Sequence, residues 1–224
     1  MNIDIYNGFF KGKKVLVTGH TGFKGSWLCI WLHELGAEVV GVSLDPYSER
    51  DNFVLSGIGN KIKADIRADI RDGEKMKQIF AEYQPEIVFH LAAQPLVRLS
   101  YEIPVETYEV NVMGTIHIME AIRATKSIKV GVMITTDKCY DNCEQLEGYV
   151  ETDPFGGYDH IHLLRELVKW LSRVGVVRSL ILKIMVKSIP FHLHQSVQET
   201  LSVVVIGQKI VLFLIVFVLL KLLK

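Results

Sequence analysis

The run KVLVTGHTGFKGSW, residues 14 to 27, constrains this chain more than any other stretch: a β-branched apolar segment passes through three glycines into apolar residues at helical spacing. Lys14 to Thr18 has the composition of a buried strand, and Ser26 to Leu35 that of a helix. Gly19, Gly22 and Gly25 lie in and around the loop between them. Few folds begin with a strand, a tight glycine turn and a helix in so short a span.

The pattern then repeats. Further strands are predicted at Ala37 to Ser43, Lys61 to Ile66, Glu86 to Ala92 and Lys129 to Thr135, with helices over Gly73 to Tyr83 and Val105 to Ala124. Such alternation predicts βαβ units and an α/β fold: a Rossmann-like, doubly wound parallel sheet with helices on both faces. A flavodoxin-like sheet that binds no dinucleotide would show the same periodicity, so the loops carry the distinction.

A phosphate needs backbone N–H groups at close range. Glycines remove side-chain bulk, and the helix N-terminus adds a positive dipole for a pyrophosphate. Asp45, just after the second strand, would accept hydrogen bonds from the adenosine ribose hydroxyls and repel a 2′-phosphate, which predicts NAD rather than NADP. Three glycines serving only packing would give the same spacing; the flanking strand, helix and Asp45 favour the nucleotide. Twenty-five basic residues balance twenty-five acidic ones without a basic stripe, which argues against nucleic acid or anionic lipid as a partner. Three cysteines, Cys29, Cys139 and Cys143, form no C-x-x-C pair. That pattern argues against a disulfide framework or structural zinc and fits a reducing cytoplasm. The N-terminus has neither an uninterrupted apolar core nor a small-residue cleavage site, so no secretory signal is expected there.

The G-x-x-G-x-x-G spacing resembles the extended short-chain dehydrogenase/reductase family, which includes NAD-dependent epimerases and dehydratases. Asp69-Ile70 resembles its adenine-binding acidic pair, His90 to Gln94 (HLAAQ) the segment along the cofactor after strand four, and Asn111 the family's helix asparagine. Singly, each reads as well as a surface acid, a buried strand end or a packed polar residue. The resemblance implies a cofactor set of Gly19, Thr21, Gly22, Phe23, Gly25, Asp45, Asp69, Ile70, Leu91, Ala92 and Ala93.

The segment TTDKCYDN, residues 135 to 142, resembles the catalytic loop of the nucleotide-sugar 4,6-dehydratases in that family. There Thr136 would hydrogen-bond the sugar 4′-hydroxyl and Asp137 would protonate the departing C6 hydroxyl. Asp137-Lys138 is similar to members acting on CDP-glucose, whereas those acting on dTDP-glucose carry Asp-Glu; an exposed ion pair would be the plain alternative. The implied activity is a lyase reaction giving CDP-4-keto-6-deoxyglucose, with NAD regenerated in each turnover and a homodimer as the working unit. Another nucleotide-sugar dehydratase or epimerase, or a non-catalytic NAD-binding module, remain the alternatives.

The resemblance covers residues 8 to 159 and then stops. The family places a tyrosine and, four residues on, a lysine on the next helix, the lysine lowering the tyrosine pKa so that it can act as a base. Ile161 and Arg165 stand in those places. HIHLLREL can be written CAT ATT CAT CTT CTA AGG GAG CTA, and read one base earlier, behind the Asp159 codon, it encodes Pro-Tyr-Ser-Ser-Ser-Lys-Gly-Ala. The same offset turns residues 199 to 210 into Asn-Val-Ile-Gly-Gly-Gly-Asp-Trp-Ala-Lys-Asp, which resembles a downstream family motif. A frameshift near Asp159 is therefore expected, dividing the chain into an NAD-binding domain at 1–159 and a frameshifted tail at 160–224 without the substrate domain. In that tail residues 210 to 220 are apolar but shorter than the ~20 residues of a membrane span, so no anchor is expected. The pairs His160/His162 and His192/His194 lack a carboxylate or thiolate at ligand spacing, so no metal site is expected.

Overall fold

A computed structural model describes residues 6–134, Asp141, Cys143, Pro154 and Val203–Ile206. In chain order the elements are β1 (Lys14–Thr18), α1 (Phe23–Glu34), β2 (Glu38–Ser43), α2 (Asn52–Ser56), a 3₁₀ turn (Ile58–Asn60), β3 (Ala64–Arg67), α3 (Gly73–Tyr83) and β4 (Ile87–His90). There follow α4 (Val97–Glu102), α5 (Pro104–Tyr108), a π-helical segment (Glu109–Gly114), α6 (Thr115–Ala124), β5 (Val130–Ile134) and β6 (Val203–Ile206). The sheet runs β3-β2-β1-β4-β5-β6, its first five strands parallel. The chain winds outward from β1 to β3, then crosses to β4 on the other side of β1. The winding direction thus reverses between β1 and β4, where open α/β sheets form a ligand crevice at the strand C-termini.

Strand alternation builds two cores. Leu16, Val40, Val42 and Val88 face one side, against Met76, Ile79 and Phe80 of α3 and Ile118 and Ile122 of α6. Val15, Val17, Val39, Ile87 and Phe89 face the other, against Leu28, Cys29 and Leu32 of α1. Because both faces are covered, successive residues are apolar at Val15 to Val17 in β1 and Ile87 to Phe89 in β4, as expected for parallel strands.

Three differences from the sequence reading have physical causes. The helix expected over Val105 to Ala124 is divided among α5, the π-helical segment and α6. The Asn111 amide there bonds to Gln94 from both of its ends, at 2.8 and 3.0 Å. The short helices α2 and α4 were not expected, being only 5 and 6 residues long. The segment read as a frameshifted tail nevertheless contributes a strand: Val203–Ile206 pairs antiparallel with β5, Gly131 opposite Ile206 and Ile134 opposite Val203. A β-branched run has the strand propensity for this, and an open sheet edge offers it partners.

Candidate dinucleotide site

The residues after β1, β2, β3 and β4 gather at the C-terminal edge of the sheet. Gly19 has φ +73°, a left-handed conformation, and a Cβ there would lie 2.7 Å from the Ala92 backbone nitrogen. The β1 and β4 loops are therefore in backbone contact. Gly25 is equally confined: a Cβ would collide with the Gly19 carbonyl and lie 2.8 Å from His20 Cα. Gly22 differs, since a Cβ there meets only the Gly19 oxygen, at 3.3 Å. As the N-cap of α1 it contributes no capping side chain, and the first helical turn holds no acid. The helix dipole and its leading N–H groups thus face the loop uncompensated. Thr21 is buried and ties the loop to β2 through its hydroxyl, 2.8 Å from Ser43 Oγ and donating to the Leu44 carbonyl at 3.1 Å. Phe23 is exposed at the start of α1.

A second network holds the β4 loop. The β1–β4 register sets Thr18 beside His90. Thr18 Oγ1 accepts from the N–H groups of Leu91 and Ala92 at 3.1 and 3.2 Å and lies 2.7 Å from His90 Nδ1. Having accepted twice, the hydroxyl gives its own proton to Nδ1, so His90 carries its proton on Nε2 and donates to Thr115 Oγ1 at 3.1 Å. Thr115 in turn donates to the Asn111 carbonyl at 2.7 Å. Leu91, Ala92 and Ala93 are thereby presented along the crevice by a buried chain of defined polarity.

Asp45 is 86% exposed, and its Oδ1 accepts from Arg67 Nε at 3.0 Å. Arg67 is also held by Asp65, Nη1 to Oδ1 at 2.7 Å and Nη2 to Oδ2 at 3.0 Å, and its guanidinium lies 5.2 Å from the centre of the Phe53 ring. Behind them is the fully buried His20, whose Nε2 lies 2.7 Å from Asp65 Oδ1 and 3.3 Å from Arg67 Nη1, while Nδ1 has no hydrogen-bond partner among the described residues. Burial pushes the His20 pKa below its ordinary value, against the pull of the Asp65 carboxylate. A neutral ring accords with that direction, and the shorter contact, to the Asp65 carboxylate, calls for the proton on Nε2. The ring sits where a Cβ on Gly41 would be, 2.5 Å from His20 Cγ. His20, Gly41, Asp65 and Arg67 were not singled out in the sequence; Asp65 and Arg67 at i and i+2 on one strand were the available sign.

Asp69 is grasped by Arg71, which donates its backbone N–H to Oδ1 at 2.8 Å and Nε and Nη2 to Oδ2 at 2.8 and 2.6 Å. Burial raises the Asp69 pKa, but these bonds outweigh it and hold the carboxyl below its usual value. One lone pair of Oδ1 is left for a ligand donor. Ile70 is buried against Gly114, and its carbonyl is 3.2 Å from His117 Nδ1. Thr136, Asp137, Lys138, Ile161 and Arg165 lie outside the described residues, as do the four tail histidines. Among the described residues no group of three or more His, Cys, Asp or Glu is placed to hold a metal ion, and no helix is long and apolar enough to cross a membrane.

The residues present fit a dinucleotide: an uncapped helix start beside the least confined of the three loop glycines, with an exposed carboxylate at the end of β2. Fold and loops define a Rossmann-type α/β protein. Residues 16–158 match the family model described as GDP-mannose 4,6 dehydratase, and the chain belongs to that family. It is 54% identical over 155 residues to the CDP-glucose 4,6-dehydratase of Salmonella typhimurium, covering 69% of this chain and 43% of that enzyme. It is 33% identical to the CDP-paratose 2-epimerase of Salmonella typhi, covering 62% and 41% of the two chains. The chain thus spans less than half the length of these curated relatives. Among solved structures, the UDP-glucose 4-epimerase of Stenotrophomonas maltophila, with bound NAD and formylated UDP-arabinopyranose, superposes with a TM-score of 0.64 at 26% identity, over 75% of this chain and 49% of that one. The NAD complex of the Thermus thermophilus UDP-glucose 4-epimerase gives 0.59 at 30% identity, over 72% and 50%.

Proposed function

We propose that this chain is the NAD-binding part of a nucleotide-sugar 4,6-dehydratase acting on CDP-glucose. The observation that carries the reading is the 54% identity to the Salmonella CDP-glucose 4,6-dehydratase. The glycine loop and the start of α1 would hold the pyrophosphate, Asp45 the adenosine ribose, and Asp69 with Ile70 the adenine. Leu91, Ala92 and Ala93 would lie along the cofactor. NAD, when bound, supplies the hydride chemistry, accepting from sugar C4 and returning to C6. Thr136 would hydrogen-bond the 4′-hydroxyl and Asp137 would protonate the departing C6 hydroxyl, with Lys138 beside it as the mark of the CDP-glucose enzymes. The functional unit is a homodimer in the cytoplasm, as the family resemblance and the cysteine pattern suggest.

Oxidation at C4 also needs a base, and Ile161 has no proton to exchange. Loss of a general base costs ~10²–10⁴ in rate, so the chain in this form is inactive in our reading, its frame displaced at the Asp159 codon. The test is an assay for 4-keto-6-deoxy sugar from CDP-glucose and NAD, with this chain and with the product of a gene restored by one base at that codon. Product from the restored protein alone is expected. Turnover by the present chain would overturn the role given to position 161, and restored activity confined to another nucleotide sugar would overturn the substrate.

A further inference from the structure

Arg67 occupies a position that NAD binding by itself does not require. It stands at the end of β3, and all three of its donor nitrogens are engaged by carboxylates, Nε by Asp45 and the two Nη groups by Asp65. With His20 neutral behind it, the group of Asp45, Asp65 and Arg67 carries one negative charge in excess. Asp45 Oδ2 has no partner among the described residues, so it is the oxygen placed to accept a ribose hydroxyl, while Nε fixes the orientation of the carboxylate. We infer that Arg67 is the specificity-determining partner of Asp45: while Asp45 is ionised, Arg67 aims it at the ribose of NAD, and without that charge its guanidinium becomes a receptor for an adenosine 2′-phosphate.

The inference rests on the dinucleotide reading and extends it. A 2′-phosphate approaching Asp45 meets a like charge whose neutralisation by Arg67 is shared with Asp65, so NADP is excluded although a guanidinium lies within 3.0 Å of the excluding carboxylate. Asp45→Asn removes the repulsion and leaves Nε without its anion. A planar guanidinium already oriented by Asp65 and lying 5.2 Å over the centre of the Phe53 ring needs little reorganisation to bond a phosphate. Arg67→Gln, in contrast, leaves Asp45 ionised but unaimed.

Calorimetric titration of the full chain with NAD and with NADP tests this, each variant first shown to melt cooperatively. Asp45→Asn is expected to bind NADP roughly tenfold or more tightly than the parent does. The double variant Asp45→Asn/Arg67→Gln should lose that gain, and Asp45→Asn/Arg67→Lys should keep part of it. Arg67→Gln alone should weaken NAD binding severalfold and leave NADP excluded. A gain that survives in the double variant, or no gain in Asp45→Asn while the parent binds NAD, would overturn the role of Arg67 and leave the dinucleotide reading standing. A folded parent that binds neither dinucleotide would overturn both. Should Arg67→Gln fail to fold, salt decides: the NADP affinity of Asp45→Asn must fall as ionic strength rises, and a gain indifferent to salt would overturn the proposal.

Discussion

A Cβ at Gly25 would collide with the Gly19 carbonyl, whereas one at Gly22 comes no nearer than 3.3 Å to any atom of the described residues outside its immediate chain neighbours. Two glycines of one motif therefore respond differently to substitution. Gly25→Ala should lower the melting temperature by several degrees. Gly22→Ala should lower the melting temperature less than Gly25→Ala yet weaken NAD binding, because its methyl group enters the space kept for the pyrophosphate; melting curves and titrations on both variants check this. His20 supplies a pH dependence. Burial lowers its pKa from 6.5 in the folded chain, so below that value the unfolded state binds the proton first. Stability contributed by keeping His20 neutral is present above about pH 6.5 and falls as the medium is acidified. Denaturant midpoints measured from pH 7.5 to 5.5 should decline, and His20→Gln should flatten the decline over that window; an equal slope in the variant would sink the assignment. The loop glycines and Asp45 were legible because they follow one another along a short stretch of chain. Arg67 was not, because its importance depends on three strands lying side by side.

Glu86 stands at the entry to β4 and joins three strands at their N-terminal ends. Its carboxylate meets Lys129 Nζ at 2.6 Å and Lys13 Nζ at 3.3 Å, while its backbone bonds to Lys14 and Lys129. The hydrogen bond from Lys129, then that from Lys13, holds the Glu86 carboxyl below its ordinary 4.5. A depressed carboxyl contributes stability above its unfolded pKa and loses it as pH falls through the folded one. Acid unfolding below about pH 4.5 should accordingly be shallower in Glu86→Gln, measured by circular dichroism against the parent. At this scale the period-two and helical patterns were readable, and α3 occupies the expected Gly73–Tyr83. The π-helical segment was not readable, because the feature associated with it is a side-chain contact, Asn111 to Gln94, seventeen residues away in the chain.

The described residues form a sheet of five parallel strands and one antiparallel edge strand, with a separate core on each face and a fully buried anchor in each. Phe80 of α3 is 0% exposed among Leu16, Val88 and Ile118. Phe80→Ala should cost about 3–5 kcal/mol, read as a shift in denaturant midpoint at unchanged slope. Doubly wound architecture was legible from the alternation of strands and helices, since a sheet covered on both faces makes successive strand residues apolar, as at Val15, Leu16 and Val17. The pairing of β6 with β5 was not legible: VVVI states a preference for extended chain but names no partner. The reading of this chain as a nucleotide-binding part depends finally on one equilibrium. Titrating the full chain calorimetrically with NAD should give saturable binding at one site per chain, abolished by Gly22→Val in a protein that still melts cooperatively. A cooperatively folded parent that takes up no NAD, or a Gly22→Val variant that binds it equally well, would contradict the account.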